Sequence, residues 1–90
     1  MKKIMLFTLR YCGFCQRALQ YVRESKAEFP EYRQLDIEII DEGEQRELAR
    51  TYQYYYVPTF YIGLEKVHEG PVNRQQVDQI LRRALECDLD

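Results

Sequence analysis

The sequence predicts an α/β fold, with one mixed four-stranded sheet flanked by helices in the order β-α-β-α-β-β-α. Two observations lead to this prediction: strand-like apolar runs alternate with segments of helical periodicity, and only the last two strands follow each other directly. The 90 residues contain no linker, repeat or low-complexity segment. We therefore expect a single domain over residues 1–90.

The first three elements form a β-α-β unit. The nearly continuous apolar run from Ile4 to Leu9 is typical of a strand buried on both faces. After a polar break at residues 10–13, apolar residues recur at the spacing of one helix face: Cys15, Ala18, Leu19 and Val22. Pro30 closes this helix, and alternating apolar residues within 32–40 predict a second strand. The right-handed crossover of such units makes the two strands parallel.

The second half of the chain begins with a helix and a hairpin. Asp41 with Glu44 resembles a capping box that opens the second helix. Residues 57–62 predict a third strand with a proline at its start. The Gly-Leu pair at 63–64 indicates a turn into a short antiparallel fourth strand around 66–68.

The chain closes with a third helix. Asn73 with Gln76 resembles a second capping pair, and the apolar face that follows is formed by Val77, Ile80, Leu81, Ala84 and Leu85. The first and third strands are the most apolar, so we expect them at the centre of the sheet.

Composition and charge exclude several classes of function. The net charge is -2, whereas nucleic acids and anionic membranes require a basic face, so neither is expected as the main partner. No apolar run approaches the roughly 20 residues that span a bilayer. The apolar start is too short for a signal peptide, and no small-residue cleavage site follows it. We therefore expect a cytoplasmic protein, and a monomeric one.

The three cysteines point to redox chemistry. Cys12 and Cys15 form a C-x-x-C pair beside a strand–helix junction, which in a cytosolic chain indicates redox work rather than structural crosslinking. The alternative is that both are ordinary packing residues. We interpret Cys87, in the last helix, as a passive and partly buried side chain.

The two cysteines of the pair are predicted to have different roles. If the first helix starts at or just after Cys12, the backbone amides of Phe14 and Cys15 and the helix dipole favour the Cys12 thiolate, which is the attacking species. Cys15 lies one turn later on the core side and would be the resolving cysteine. Arg10 is expected to add positive potential, and Phe14 to contribute to a docking surface.

Pro58 is the second candidate feature. X-Pro bonds are the only ones commonly found cis. A cis Val57–Pro58 bond facing Cys12 would expose the Val57 backbone to an extended peptide or glutathione, which could pair with it as an added strand. A trans proline that merely starts the strand is the other interpretation, and the sequence leaves both open.

These motifs together resemble the glutaredoxin branch of the thioredoxin superfamily. The resemblance is based on Tyr-Cys-Gly-Phe-Cys after a strand, on Tyr-Val-Pro-Thr-Phe further along, and on the hairpin and last helix. The resemblance spans essentially the whole chain and implies a thioredoxin-like fold, a cis Pro58 and dithiol exchange with protein disulfides or glutathione. It also implies a reductase partner, and a binding groove lined by Tyr11, Val57, Pro58 and the Gly70 region.

The sequence departs from the family pattern at three places. Cys-Gly-Phe-Cys replaces the usual Cys-Pro-Tyr-Cys. Leu9 stands where a basic residue is usual, with Arg10 one place nearer to the cysteine. The usual Gly-Gly with a Thr/Ser/Cys-Asp pair, which holds the glutathione carboxylate, is replaced by a segment in which Arg74 could bind a carboxylate and Asn73 caps a helix. Glutathione dependence is therefore open; no tightly bound cofactor is expected, and glutathione would be a co-substrate.

Two other classes of function compete with the enzyme. Cys-Gly-Phe-Cys is similar to the Cys-Gly-Phe-Ser of monothiol glutaredoxins, which share an iron–sulfur cluster between two subunits with glutathione. One protomer here lacks four obvious ligands, so no metal site is predicted within it, and a cluster would require a dimer or glutathione thiolates. The last alternative is an adaptor with this fold that binds partners without turnover.

Overall fold

The computed structural model describes residues 1–87 and confirms the predicted order of strands and helices, with one additional short helix. Residues 88–90 of the predicted domain lie outside the described part. The elements are β1 (Ile4–Thr8), α1 (Gly13–Glu28), a 3-10 helix (Pro30–Gln34), β2 (Ile37–Asp41), α2 (Arg46–Arg50), β3 (Thr59–Ile62), β4 (Glu65–Glu69) and α3 (Arg74–Glu86). Within residues 1–87, no helix combines the length and the apolar character needed to cross a bilayer.

The sheet is mixed, with the strand order β2-β1-β3-β4, so the two most apolar strands are central as predicted. β1 runs parallel to β2 and antiparallel to β3, and Phe7 is paired with Thr59. β4 is antiparallel to β3 and ends beside the same Thr59, which pairs with Glu69. The segments after β1, before β3 and after β4 therefore meet at one edge of the sheet.

Hydrophobic side chains fill both faces of the sheet. On one face, Ile4 and Leu6 pack with buried residues of α1 and α3. On the other face, Met5 and Phe7 pack with Tyr61 and with partly buried residues of α2 and the segment after it. All five residues of β1 are buried, as the continuous apolar run predicted. β1 is thus the rigid support of the segment that follows it.

The prediction of a strand over the whole of 32–40 is wrong in its first half. Residues 30–34 form the 3-10 helix, with Pro30 in its first turn, and the strand begins only at Ile37. Tyr32 explains the difference, because its ring is fully buried and its hydroxyl donates a hydrogen bond to Asp78 Oδ1 at 2.8 Å. This long-range contact with α3 overrides the local alternation of apolar residues.

The predicted capping box at Asp41 and Glu44 is also wrong. Asp41 is the last residue of β2, and its Oδ1 accepts hydrogen bonds from the backbone N–H groups of Gly43 at 2.8 Å and Glu44 at 3.2 Å. These contacts close a turn of the kind that aspartate side chains favour. α2 starts later, at Arg46, with no side-chain cap from Gln45.

The capping pair of α3 is confirmed. Asn73 Oδ1 accepts the Gln76 N–H at 2.7 Å, and the Gln76 side chain accepts the Asn73 N–H at 2.9 Å. Cys87 is partly buried as predicted, but it is the C-cap residue of α3 and does not lie within the helix.

Candidate active site

The candidate site lies at the sheet edge where β1 ends, and a short turn leads from β1 into α1. Tyr11 in this turn has a φ of 65°, a left-handed conformation that non-glycine residues rarely adopt, and its side chain is 94% exposed. Cys12 follows in an extended conformation and is the N-cap of α1. The turn therefore places the first cysteine at the start of the helix.

Cys12 caps α1 through its sulfur. Its Sγ accepts the backbone N–H of Cys15 at 3.2 Å, and its carbonyl accepts the N–H of Gln16 at 3.0 Å as the first helical hydrogen bond. The sulfur thus occupies the position of a capping side chain at the positive end of a 16-residue helix. This confirms the predicted start of the helix and the predicted amide contact from Cys15, whereas the Phe14 amide, which was also expected to face the sulfur, forms no hydrogen bond with it.

Cys15 lies in a different environment although it is only three residues away. Its side chain is fully buried on the core side of α1, whereas Cys12 is partly exposed. Burial raises the pKa of the Cys15 thiol to about 12, and the hydrogen bond with Cys12 acts in the same direction. Cys15 is therefore a protonated thiol at neutral pH, and no disulfide joins the two sulfurs in this structure.

The Val57–Pro58 segment lies at the same edge of the sheet, just before β3. The peptide bond between them is cis, as the resemblance implied. Pro58 is buried, and its carbonyl accepts the Gly70 N–H at 2.8 Å. Gly70 has a φ of 96°, which favours glycine. Val57 belongs to no strand or helix, and within residues 1–87 neither its N–H nor its carbonyl forms a backbone hydrogen bond.

Glu69, which no motif in the sequence singled out, contacts this segment from the end of β4. Its Oε2 accepts the backbone N–H groups of Tyr55 at 2.5 Å and Tyr56 at 2.9 Å, and its Oε1 pairs with Lys66 Nζ at 2.7 Å. The hydrogen bond with Lys66, followed by those from the two amides, lowers the pKa of Glu69 to about 2. No short-range pattern in the sequence indicates these contacts, because the residues are 13 and 14 positions apart.

The tyrosine-rich segment divides into a buried and an exposed part. Tyr52 and Tyr54 pack against Phe7, with ring centroids 4.8 and 4.9 Å apart. Tyr55 and Tyr56 instead remain 91% and 71% exposed. The exposed aromatic residues at this end of the molecule are Tyr11, Phe14, Tyr55 and Tyr56.

Arg10, which was expected to add positive potential, and Arg74, which was considered as a carboxylate ligand, are both paired with carboxylates of this chain. Arg10 forms an exposed ion pair with Glu44 at 3.0 Å. Arg74 contacts Glu24 at 3.4 Å and Glu28, and its Nε donates to the Ser25 hydroxyl at 3.0 Å. Arg74 thus joins the start of α3 to the C-terminal half of α1. Among residues 1–87, no group of three or more histidine, cysteine, aspartate or glutamate side chains could hold a metal ion.

Comparisons with known proteins agree with this architecture. None of the curated proteins matches the chain. The solution structure of the oxidised thioredoxin from Plasmodium falciparum is similar, with a TM-score of 0.68 and 22% identity over 89% of this chain and 77% of that one. The zinc-bound form of human ERp44 is similar with a TM-score of 0.62 and 20% identity, over 90% of this chain and 25% of that one. These likenesses show a thioredoxin-like fold.

The sequence itself identifies the family. The glutaredoxin family model matches residues 4–67, which is more than half of the chain and includes both Cys12 and Pro58. The match thus covers the strand, the C-x-x-C turn and the proline segment that meet at the candidate site. This chain belongs to the glutaredoxin family.

Proposed function

We propose that this protein reduces disulfide bonds in protein substrates by dithiol exchange through Cys12 and Cys15. Family membership and fold support thiol–disulfide oxidoreductase activity in general. The observation that carries the specific proposal is the Cys12 sulfur at the N-terminus of α1, hydrogen-bonded to the Cys15 amide, with the Cys15 thiol buried behind it. This arrangement pairs one accessible sulfur with one protected sulfur.

In the first step, the Cys12 thiolate attacks one sulfur of the substrate disulfide. A bond forms between Cys12 and that sulfur, the substrate S–S bond breaks, and the second substrate sulfur leaves as a thiolate that takes up a proton. The amide of Cys15 and the dipole of α1 stabilise the anionic sulfur before attack. The product is a mixed disulfide between enzyme and substrate.

In the second step, the Cys15 sulfur attacks the Cys12 sulfur, and the Cys15 proton passes through solvent to the departing substrate sulfur. The Cys12–Cys15 disulfide forms, the mixed disulfide breaks, and the remaining substrate sulfur leaves. Two electrons have then passed from the dithiol to the substrate. The raised pKa of Cys15 keeps this residue protonated until the mixed disulfide has formed, so that Cys12 alone is the first nucleophile. Two electrons restore the dithiol, supplied either by two glutathione molecules, which leave as glutathione disulfide, or by a reductase partner.

Protein disulfides fit the surroundings of Cys12 better than glutathione does. Arg74, the cation considered for a glutathione carboxylate, is engaged by Glu24 and Glu28. Tyr11, Phe14, Tyr55 and Tyr56 are exposed, and exposed aromatic side chains are typical of surfaces that bind protein segments. The Val57 backbone, which has no hydrogen bond within residues 1–87, supports strand-like pairing with such a segment, and Gly70 is hydrogen-bonded to the adjacent Pro58.

Cysteine variants test the proposal in an assay that follows reduction of a disulfide-bonded protein. We expect Cys12→Ser to abolish turnover, and Cys15→Ser to accumulate a mixed disulfide with the substrate that mass spectrometry detects. Cys87→Ser serves as the matched control and should retain activity, because Cys87 lies at the far end of α3. Full activity of Cys12→Ser would disprove the proposal.

The choice of reductant is tested separately. Oxidised protein is supplied either with glutathione and its reductase or with thioredoxin reductase, and turnover is compared. The iron–sulfur alternative remains a prediction from the sequence. The visible absorption spectrum of protein purified without oxygen tests it directly, since a cluster is coloured and the dithiol enzyme is not.

A further inference from the structure

Residues 55–58 are fixed by contacts from three positions outside this segment. Glu69 Oε2 accepts the amides of Tyr55 and Tyr56, and the Tyr56 carbonyl accepts the Thr59 hydroxyl at 2.5 Å. The Pro58 carbonyl accepts the Gly70 N–H. Of these contacts, only those of Glu69 involve a charged group, and charge-assisted hydrogen bonds are roughly twice as strong as neutral ones.

We propose that Glu69 is a positioning residue for substrate binding, whose carboxylate holds the Tyr55–Tyr56 backbone so that both rings and the Val57 backbone stay in one conformation beside Cys12. The proposal rests on the function proposed above and assigns the occupant of this surface as an extended protein segment that carries the disulfide. Glu69 acts through the tyrosines and does not touch the reacting sulfurs.

The geometry around the carboxylate supports this role. Two consecutive backbone amides converge on one oxygen, which is an arrangement that only an acceptor facing the loop can satisfy. Lys66 binds the other oxygen and so fixes the side-chain conformation. The Glu69 side chain is 19% exposed, so the protein covers most of its surface. The low pKa of Glu69 agrees with a carboxylate that stays ionised in this position.

The exposure of the two rings explains why their backbone needs to be held. Tyr55 and Tyr56 have little packing of their own side chains to order them, in contrast to Tyr52 and Tyr54. A surface that is ordered before binding loses less conformational entropy when the partner docks. The carboxylate thus preorganises aromatic side chains that would otherwise have to be ordered by the substrate.

The proposal is tested by steady-state kinetics of Glu69→Ala with a disulfide-bonded protein. We expect KM to rise by about tenfold with kcat unchanged, because the lost hydrogen bonds affect binding and not sulfur chemistry. Glu69→Gln keeps a carbonyl oxygen that can accept both amide hydrogens, so its KM should lie much closer to the wild-type value than that of Glu69→Ala. Glu65→Ala is the matched control, since it removes another β4 glutamate and its ion pair with Arg83 at a distance from the loop.

Amide hydrogen exchange measured by NMR gives a second readout that does not depend on activity. The Tyr55 and Tyr56 amides should exchange faster in Glu69→Ala and at the wild-type rate in Glu65→Ala. An unchanged KM in Glu69→Ala, or a loss of activity caused entirely by a lower kcat, would overturn the positioning role. The proposed enzymatic function would still hold in that case, provided that the wild-type protein turns over. Absence of turnover in the wild type would instead overturn both. If Glu69→Ala fails to fold, Glu69→Gln decides: its uncharged and weaker acceptor should raise KM by less than the rise expected for alanine and should speed exchange of both amides, and wild-type values of both would overturn the role.

Discussion

The cysteine segment (residues 10–15) and the proline segment (residues 55–59) lie at the same edge of the sheet, but they are held in place in different ways. The sulfur of Cys12 is fixed by an amide three residues later in the same helix. The Tyr55 and Tyr56 backbone is fixed by Glu69, which belongs to another strand. One half of the site is therefore built by local capping, and the other half by a contact that exists only after β3 and β4 have paired.

This difference separates reactivity from recognition. Local capping makes the chemistry of Cys12 depend mainly on α1 and its N-terminus. The shape of the substrate surface depends on the hairpin of β3 and β4 and on one carboxylate. Variants that change only the N-terminus of α1 should change the rate of sulfur exchange, and variants that change only the Glu69 contact should change the binding of substrate. Variants of β1, which lies beneath both segments, should change both properties.

The largest effect on stability is expected in β1. Phe7 is fully buried in β1 and contacts Tyr52, Tyr54 and Tyr61. Phe7→Ala should lower the free energy of unfolding by about 3–5 kcal/mol, because it leaves a cavity between the sheet and α2. Denaturant unfolding measures this change. Ile39→Ala, at a half-exposed position of β2, should cost less than about 1 kcal/mol, and equal losses in the two variants would contradict the account.

The two segments should lose stability at opposite ends of the pH scale. Cys15 has a pKa raised to about 12, so its contribution to stability is complete below its unfolded value of about 8.5 and is lost as the pH rises toward 12. The free energy of unfolding should therefore decline above about pH 8.5 more steeply in wild type than in Cys15→Ala. Parallel alkaline declines in the two proteins would show that Cys15 is not buried as described.

For Glu69 we expect the opposite pH dependence of stability. Its pKa is lowered to about 2, so its contribution is complete above the unfolded value of about 4.3 and is lost as the pH falls toward 2. Below about pH 4, the difference in unfolding free energy between wild type and Glu69→Gln should shrink. Chemical denaturation at a series of acidic pH values measures this difference. A difference in unfolding free energy that does not change with pH would argue against hydrogen bonding of the two amides to a charged carboxylate.

A smaller effect is expected from a cap outside the candidate site. Asn73→Ala removes the side-chain acceptor of the α3 capping box, while the backbone N–H of residue 73 can still donate to Gln76, and it should cost about 1 kcal/mol of stability. Because α3 packs on the face of α1 and contributes no residue to either segment, kcat and KM should be unchanged. A specific rise in KM would indicate that Asn73 contacts substrate, as the corresponding segment of the family pattern would have it.

The smallest effect is expected at Arg10. Its ion pair with Glu44 is exposed on both sides, and such pairs contribute about 0–1 kcal/mol. Arg10→Ala should change stability by less than that, and the rate of Cys12 alkylation by less than about twofold, because the sulfur is stabilised chiefly by the helix. A large loss of Cys12 reactivity would show instead that the arginine is part of the site.

The same division explains how far sequence reasoning reached. The Cys12 cap and the Asn73–Gln76 box were predictable because their partners are three residues apart, and central β1 was predictable from its continuous apolar run. The partners of Arg74, 46 to 50 positions away, were not. Local periodicity also failed at Tyr32, where burial against α3 decides the backbone conformation.

The most direct test of the account is alkylation of the reduced protein near neutral pH, followed by mass-spectrometric identification of the modified cysteine over time. The account predicts that Cys12 reacts first, and that Cys15 reacts only after the protein is unfolded by denaturant. Modification of Cys15 in the folded protein at a rate equal to that of Cys12 would contradict the division of roles between an accessible nucleophile and a buried resolving thiol.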